Sequence, residues 1–186
     1  MAVTQVHQQD VVDMLLVQHN EINALFNRVA TAQGEQKREL FHDLVRLLAV
    51  HESAEEQIVH PAARKALPDG EVVVDQRLRE ESDAKRALAD LYDLGVDHPE
   101  FDMRLRVFAE SVIEHATHEE NEEFLYLRQN LDPEKLRKMA KVFEIAEKVA
   151  PTRPHPGAGE SAAANMLAGP PIAMFDRIRD AIRDRS

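Results

Sequence analysis

Three histidines occupy positions in apolar helical stripes where a leucine would be expected. His19, His51 and His115 each continue a run of hydrophobic residues spaced by three and four, and each lies in a different segment of the chain. His51 and His115 are followed one helical turn later by Glu55 and Glu119. Burying imidazoles and carboxylates together is costly unless something pairs with them, so the fold must supply that compensation.

A fourth segment carries the same signal, because Glu81 lies on its apolar stripe. Side chains four residues apart share a helix face, so each His–Glu pair can reach one metal ion or bridge two. Mixed imidazole and carboxylate donors suit iron, manganese or zinc, and a four-helix bundle can gather such donors from facing helices around a two-metal centre. The pattern therefore predicts a metal centre with the ligands His19, His51, Glu55, Glu81, His115 and Glu119.

Four residues beside these ligands are additional candidates. Glu52 follows His51 and is either a bridging ligand or a neighbour of one. His118 is either a ligand or a hydrogen-bond donor to one. Glu120 or Glu122 replaces Glu119 as the ligand if the helix is rotated.

The remaining polar groups of these segments are assigned structural roles. Tyr126 is predicted to be a core aromatic, Glu123 to belong to an acidic solvated face, and His60 to be an ordinary histidine beside Pro61. Glu39-x-x-His42 matches one unit of a ferritin-like site. That architecture needs two such units, and the bundle helices carry no second one, so the ferritin-like alternative is disfavoured.

Helical periodicity predicts an all-α chain. Four long helices are expected over residues 10–32, 35–67, 74–94 and 100–130, followed by a shorter one over 133–149. Short connections between the long helices predict an up-down-up-down four-helix bundle. Pro61 is expected to kink or end the second helix, since proline lacks the backbone N–H that a helix interior needs.

Composition changes sharply near residue 150. We therefore expect a bundle domain over 1–150, a Pro/Gly/Ala-rich linker over 151–171 and a short amphipathic helix over 172–186. The apolar stripe of that last segment predicts that it docks on the bundle or on a second subunit, which would make a homodimer.

Charge and composition exclude several classes of function. A net charge of −11 disfavours nucleic acid and anionic membranes as main partners. The chain has no cysteine, which excludes disulfides and thiolate metal ligands. No apolar run is long enough to cross a bilayer and the N-terminus lacks a secretory pattern, so we expect a cytoplasmic protein without stable membrane insertion.

Three stretches resemble the hemerythrin-like family, specifically the bacterial HHE cation-binding domains: QHNEINALF (18–26), HESAEEQIVHPAA (51–63) and EHATHEENEEFLYL (114–127). The resemblance extends over roughly residues 10 to 130. It implies a four-helix bundle holding two non-haem iron ions with an oxo or hydroxo bridge, while the donor set also accommodates manganese or zinc. The ligands it implies are His19, His51, Glu55 and His115, with Glu119 or Glu120.

The third helix departs from the family pattern. Where that pattern places a histidine, this chain has Glu81, with Lys85 one turn later. A carboxylate in place of an imidazole makes the donor set harder and more anionic, which stabilises ferric iron and disfavours reversible oxygen carriage.

We therefore expect reaction with hydrogen peroxide, that is, catalase-like detoxification. The alternative is a module that binds or senses oxygen, nitric oxide or iron without turnover. A third hypothesis is a purely structural bundle whose buried polar groups pair only with one another.

Overall fold

The computed structural model describes residues 9–149, and within them the chain is helical with no strand. The elements are α1 (Val11–Thr31), α2 (Gly34–Ala54), α3 (His60–Ala66), α4 (Gly70–Leu94), α5 (Phe101–His118), α6 (Leu125–Asn130) and α7 (Pro133–Val149). A π-helical segment, Glu55–Val59, joins α2 to α3, and a second, Glu119–Phe124, joins α5 to α6. The linker and terminal helix predicted over 151–171 and 172–186 lie outside the described residues.

The four long helices of the prediction are present as four rods: α1, the joined α2–α3, α4, and the joined α5–α6. The α1 rod packs on α2 and α5, whereas α4 packs on α5 and α3. The last helix, α7, lies against α1 and α2. The all-α fold is confirmed, and the up-and-down order of the rods stays a prediction. No helix among the described residues is long and apolar enough to span a membrane.

Two apolar clusters fill the bundle and leave a polar layer between them. One cluster contains Leu15, Val74 and Phe124, and the other contains Ile22 and Leu88. Each predicted ligand lies in sequence between a residue of one cluster and a residue of the other: His19 follows Leu15 and precedes Ile22, and Glu81 lies between Val74 and Leu88. The rods thus bring the polar positions to one level, as the stripes predict.

The π segments change which residues face the core. Tyr126 is predicted to be a core aromatic, but it is exposed, as is Glu122. Their successors, Glu123 and Leu127, are completely buried instead. A π segment accommodates one extra residue in the helix, so the buried face beyond Glu119 is displaced by one position. The expectations that Tyr126 is a core aromatic and that Glu123 is solvated are therefore wrong.

The second rod shows the same displacement. Val59 is fully buried whereas Ile58 is half-buried, and His60 is turned into the interior. The backbone N–H of His60 donates to the carbonyl of Glu55, five residues earlier. Pro61 is the second residue after this segment and does not end the helix, which continues to Ala66.

The third rod begins four residues before the predicted start, because the Pro68-Asp69-Gly70 turn leads straight into α4. Asp69 adopts a left-handed conformation with φ of 54°. At Gly70 the chain passes very close to α3: a Cβ there would lie 2.6 Å from the carbonyl oxygen of Arg64 and 2.9 Å from that of Ala63. Backbone carbonyls cannot rotate away as flexible side chains do, so this contact requires glycine.

We expect Gly70→Ala to lower the free energy of unfolding by about 1–3 kcal/mol, the usual cost of overpacking. Denaturant titration of the full chain measures the change. Val72→Ala, at an exposed position of the same helix, is the matched control and should change the free energy by less than about 0.5 kcal/mol. Equal effects of the two substitutions would contradict the close approach.

Candidate metal centre

All six ligands predicted from the sequence meet in the polar layer. Their donor atoms form two overlapping groups, and within each group the atoms lie no more than 4.8 Å apart. The first group consists of His19, His51, Glu55 and Glu119, and the second of Glu55, Glu81, His115 and Glu119. Glu55 and Glu119 belong to both. This is the arrangement expected of two neighbouring ion positions that share carboxylates.

The three imidazoles are held in one common manner. Each donates through Nδ1 to a side-chain oxygen and so turns Nε2 toward the centre: His19 to Glu120 (2.7 Å), His51 to Gln18 (2.8 Å) and His115 to Glu80 (2.9 Å). The inward Nε2 atoms lie close to the shared carboxylates, 3.3 Å from Glu55 for His51 and 3.3 Å from Glu119 for His115. Hydrogen bonding at Nδ1 is how proteins orient a metal-binding histidine and fix its tautomer.

The shared carboxylates have unsatisfied oxygens. Among the described residues, both oxygens of Glu55, both of Glu119 and the Nε2 of His115 are buried without a hydrogen-bond partner. Leaving buried polar atoms unpaired costs about 1–3 kcal/mol each, and more when they are charged. Because the orphaned atoms converge on one point and are all metal donors, the residues present fit a cation there.

The electrostatics of the layer also favour a cation. Burial raises the pKa of Glu55 well above its ordinary value, and the charges of Glu119 and Glu81 raise it further. Burial lowers the pKa of His51 to about 3, with the neighbouring His19 lowering it too, so His51 is neutral and free to bind a metal. A cation between these groups would relieve the carboxylate repulsion that protonation of Glu55 otherwise relieves.

A charged network supports the His115 side of the centre. Glu80 accepts from His115 and also from Arg77 (2.9 Å), whose guanidinium is completely buried. Arg77 reaches Glu122 on the second π segment as well, at 3.3 Å. For His115, burial alone would lower the pKa, but the carboxylates of Glu119 and Glu80 outweigh it and raise the pKa to about 9.

Behind Glu81 lies a second polar chain. One oxygen of Glu81 accepts from Nε2 of His60 (2.6 Å), and Nδ1 of His60 donates to Glu123 (3.1 Å). The other oxygen of Glu81 lies 3.4 Å from the ammonium of Lys85, which also pairs with Glu56. For His60, burial alone would lower the pKa, but Glu123 and Glu81 raise it to about 10.

The additional candidates lie around the two donor groups rather than in them. Glu120 orients His19, and Glu122, exposed, pairs with Arg77. His118 Nδ1 lies 3.5 Å from Glu80. Glu52 is buried, 3.5 Å from the Lys85 ammonium, and burial raises its pKa to about 8. The geometry thus favours Glu119 over Glu120 as the carboxylate of the fourth rod.

Sequence reasoning missed four residues of the site: Gln18, His60, Arg77 and Glu80. Gln18 directly precedes His19 and Glu80 directly precedes Glu81, but this adjacency does not indicate that Gln18 contacts His51 and Glu80 contacts His115. His60 was assigned an ordinary role because the displacement produced by the π segment is invisible in a regular periodicity. Arg77 gives no signal, because a fully buried arginine is rarely expected.

A cavity of about 530 Å³ opens beside the centre. Its lining includes His19, His51 and His115 together with Glu52, Asn23 and Ala84. Other carboxylates, such as Glu80 and Asp83, also border it. The cavity therefore gives a small molecule access to the imidazole side of the centre, and its acidic walls favour neutral or cationic species over anions.

The hemerythrin HHE cation-binding domain model matches residues 10–127. With the helical fold and the clustered histidines and glutamates, this match places the chain in the hemerythrin HHE family, as the sequence motifs predict. The chain is thus a hemerythrin-like cation-binding domain protein.

A DNA nickase from a Nostoc species is 30% identical over 136 residues, which are 73% of this chain and 38% of that protein. The chain therefore spans well under half of that relative. An uncharacterised hemerythrin-like protein of Schizosaccharomyces pombe is 25% identical over 170 residues, covering 90% of this chain and 84% of the relative. A crystal structure of a hemerythrin HHE domain-containing protein from Mycobacterium kansasii superposes with a TM-score of 0.68 at 19% identity, over 86% of this chain and 99% of that one.

We expect Glu55→Gln to weaken metal binding without destabilising the metal-free protein. The amide resembles the protonated carboxyl, so the metal-free variant should unfold at the same temperature as the metal-free parent or a higher one. The rise in unfolding temperature on adding a divalent cation should shrink, since a ligand that binds the folded state less tightly stabilises it less. Glu39→Gln, at an exposed position of α2, is the control and should keep the full rise. A metal-free Glu55→Gln protein much less stable than its parent would contradict the burial argument.

Proposed function

We propose that this protein holds two non-haem iron ions in the polar layer and uses them to decompose hydrogen peroxide. The observation that carries the proposal is the sharing of Glu55 and Glu119 between two donor groups. The residues that would hold the ions are those of the two groups, with His19 and His51 on one side and Glu81 and His115 on the other. Iron is the ion that the hemerythrin-like resemblance implies, and imidazole and carboxylate donors together suit it.

Two iron ions, when bound, would supply a two-electron redox couple, so that one peroxide is oxidised to dioxygen and a second is reduced to two waters. The protein's own part is to bind and orient the reactants. Gln18, Glu80 and Glu120 fix the imidazoles through their Nδ1 atoms. The cavity beside His51 and His115 admits a molecule as small as peroxide. Glu52 lies on its wall and is the carboxyl group placed to hold a proton there.

The carboxylate content supports turnover rather than reversible carriage. Three of the six donors are carboxylates, and Glu81 replaces the imidazole of the family pattern. An anionic donor set favours ferric iron, whereas a reversible oxygen carrier must rest in the ferrous state. The alternative is binding or sensing of oxygen, nitric oxide or iron without turnover. Measurement of oxygen evolution from hydrogen peroxide distinguishes the two.

Nicking of DNA, the activity named for the Nostoc relative, is not part of the proposal. The net charge of −11 opposes binding to a phosphate backbone. The chain also spans 38% of that protein, so the name describes a much longer molecule. A cytoplasmic location and a homodimer stay predictions.

Purified protein loaded with iron should contain two irons per chain and evolve oxygen from hydrogen peroxide. We expect His51→Ala to lower oxygen evolution at least about tenfold, because even residues behind metal ligands typically cost 10–100-fold when removed. His42→Ala, which removes an exposed imidazole that stacks on Tyr92, is the matched control and should retain activity.

The outcomes are distinct. Two irons per chain without oxygen evolution would leave the binding or sensing alternative and contradict peroxide turnover. Equal activity of the His51→Ala and His42→Ala proteins would contradict the assignment of His51 as a ligand. If the protein retains no metal after incubation with iron, the bundle has a purely structural role.

A further inference from the structure

We propose that the two ion positions are chemically unlike: the His19–His51 position selects ions that prefer imidazole, and the Glu81–His115 position is the one that retains manganese(II). This inference rests on the two-metal site of the proposed function and refines it. The chain would then be able to assemble a mixed-metal centre.

The two ion positions differ in their donor sets. Both positions share Glu55 and Glu119, so the difference lies in the remaining donors. The first position adds two imidazoles, whereas the second adds one imidazole and one carboxylate. Imidazole favours iron, zinc, copper and nickel, while carboxylate suits manganese and magnesium. Glu81 is therefore the residue that distinguishes the positions.

Both oxygens of Glu81 have hydrogen-bond donors beside them. His60 donates to one of its oxygens at 2.6 Å, and the Lys85 ammonium lies 3.4 Å from the other. Both donors compete with a metal ion for the electron pairs of the carboxylate. At the first position, Glu120 and Gln18 direct the imidazole Nε2 atoms of His19 and His51 inward, and these two atoms lie 3.1 Å from each other. The second position should therefore bind zinc(II) less tightly than the first.

The environment of the second position is also the richer one in carboxylate oxygens. Glu81 has Glu123 behind it, across the ring of His60, and Glu123 is completely buried with one oxygen that makes no hydrogen bond. Glu56 pairs with Lys85 nearby. An oxygen-rich position favours hard cations and discriminates little between them.

Displacement of manganese by zinc tests the inference with ions that do not undergo redox change. The full chain is loaded with manganese(II) and titrated with zinc(II) from a metal buffer, and released manganese(II) is followed by electron paramagnetic resonance. We expect half of the manganese to be lost at low free zinc and the other half at a clearly higher free zinc concentration. A single step that releases all of the manganese together would overturn the inference.

The substitution Glu81→His makes the donor sets equal and should merge the two steps into one at low free zinc. Asp90→His adds an imidazole at an exposed position of the same helix and should keep both steps. If Glu81→His does not fold, the nearly isosteric Glu81→Gln serves instead: it should hold manganese at the first position only, so that the high-zinc step is lost. Two unchanged steps in the Glu81 variant would overturn the role of that residue.

Failure of this inference and failure of the proposed function give different results. Binding of two manganese ions that exchange in a single step leaves the two-metal site intact and removes only the inequality of its positions. Saturation at one ion, or none, removes the shared-carboxylate centre itself and both proposals with it.

Discussion

The rest of the described structure depends on two carboxylates, Glu55 and Glu119, that are buried together in the middle of the bundle. No helical bundle gains stability from such a pair alone, because desolvating the charges costs more than their neighbours return. Hydrogen bonds at Nδ1 hold the three imidazoles beside the carboxylates and reduce that cost. The oxygens of both carboxylates nevertheless stay without hydrogen bonds. The apolar clusters on either side stabilise the bundle sufficiently to hold this layer, which is how a fold can maintain a site that only a cation completes.

The two π segments are part of the same arrangement, because each begins at one of the shared carboxylates, Glu55 or Glu119. Insertions of this kind are frequent at functional sites. In this protein each π segment displaces the buried face of its rod by one position. The residues before the segment face the centre, and those after it still pack into the apolar cluster. They also turn His60 and Glu123 inward, which supplies the polar chain behind Glu81. The π segments thus bring more polar residues to the layer than a regular helix would.

The fold was largely predictable from sequence, since long stripes at helical spacing define the rods. The six donors were predictable because polar residues on an apolar stripe are expensive and rarely coincide at one depth by chance. What could not be predicted follows from the π segments: Tyr126 and Glu123 exchanged their expected environments, and His60 was assigned no role. The residues that orient the imidazoles were missed for another reason, since Glu80 and Gln18 become recognisable only when rods distant in sequence are placed side by side.

The central claim is that two ions share Glu55 and Glu119. The most direct test is a crystal structure of the metal-loaded protein with anomalous diffraction measured at the absorption edge of the metal. The account predicts two neighbouring anomalous peaks, each within bonding distance of both carboxylates, one beside His19 and His51 and the other beside Glu81 and His115. A single peak, or two peaks that do not share these carboxylates, would contradict it.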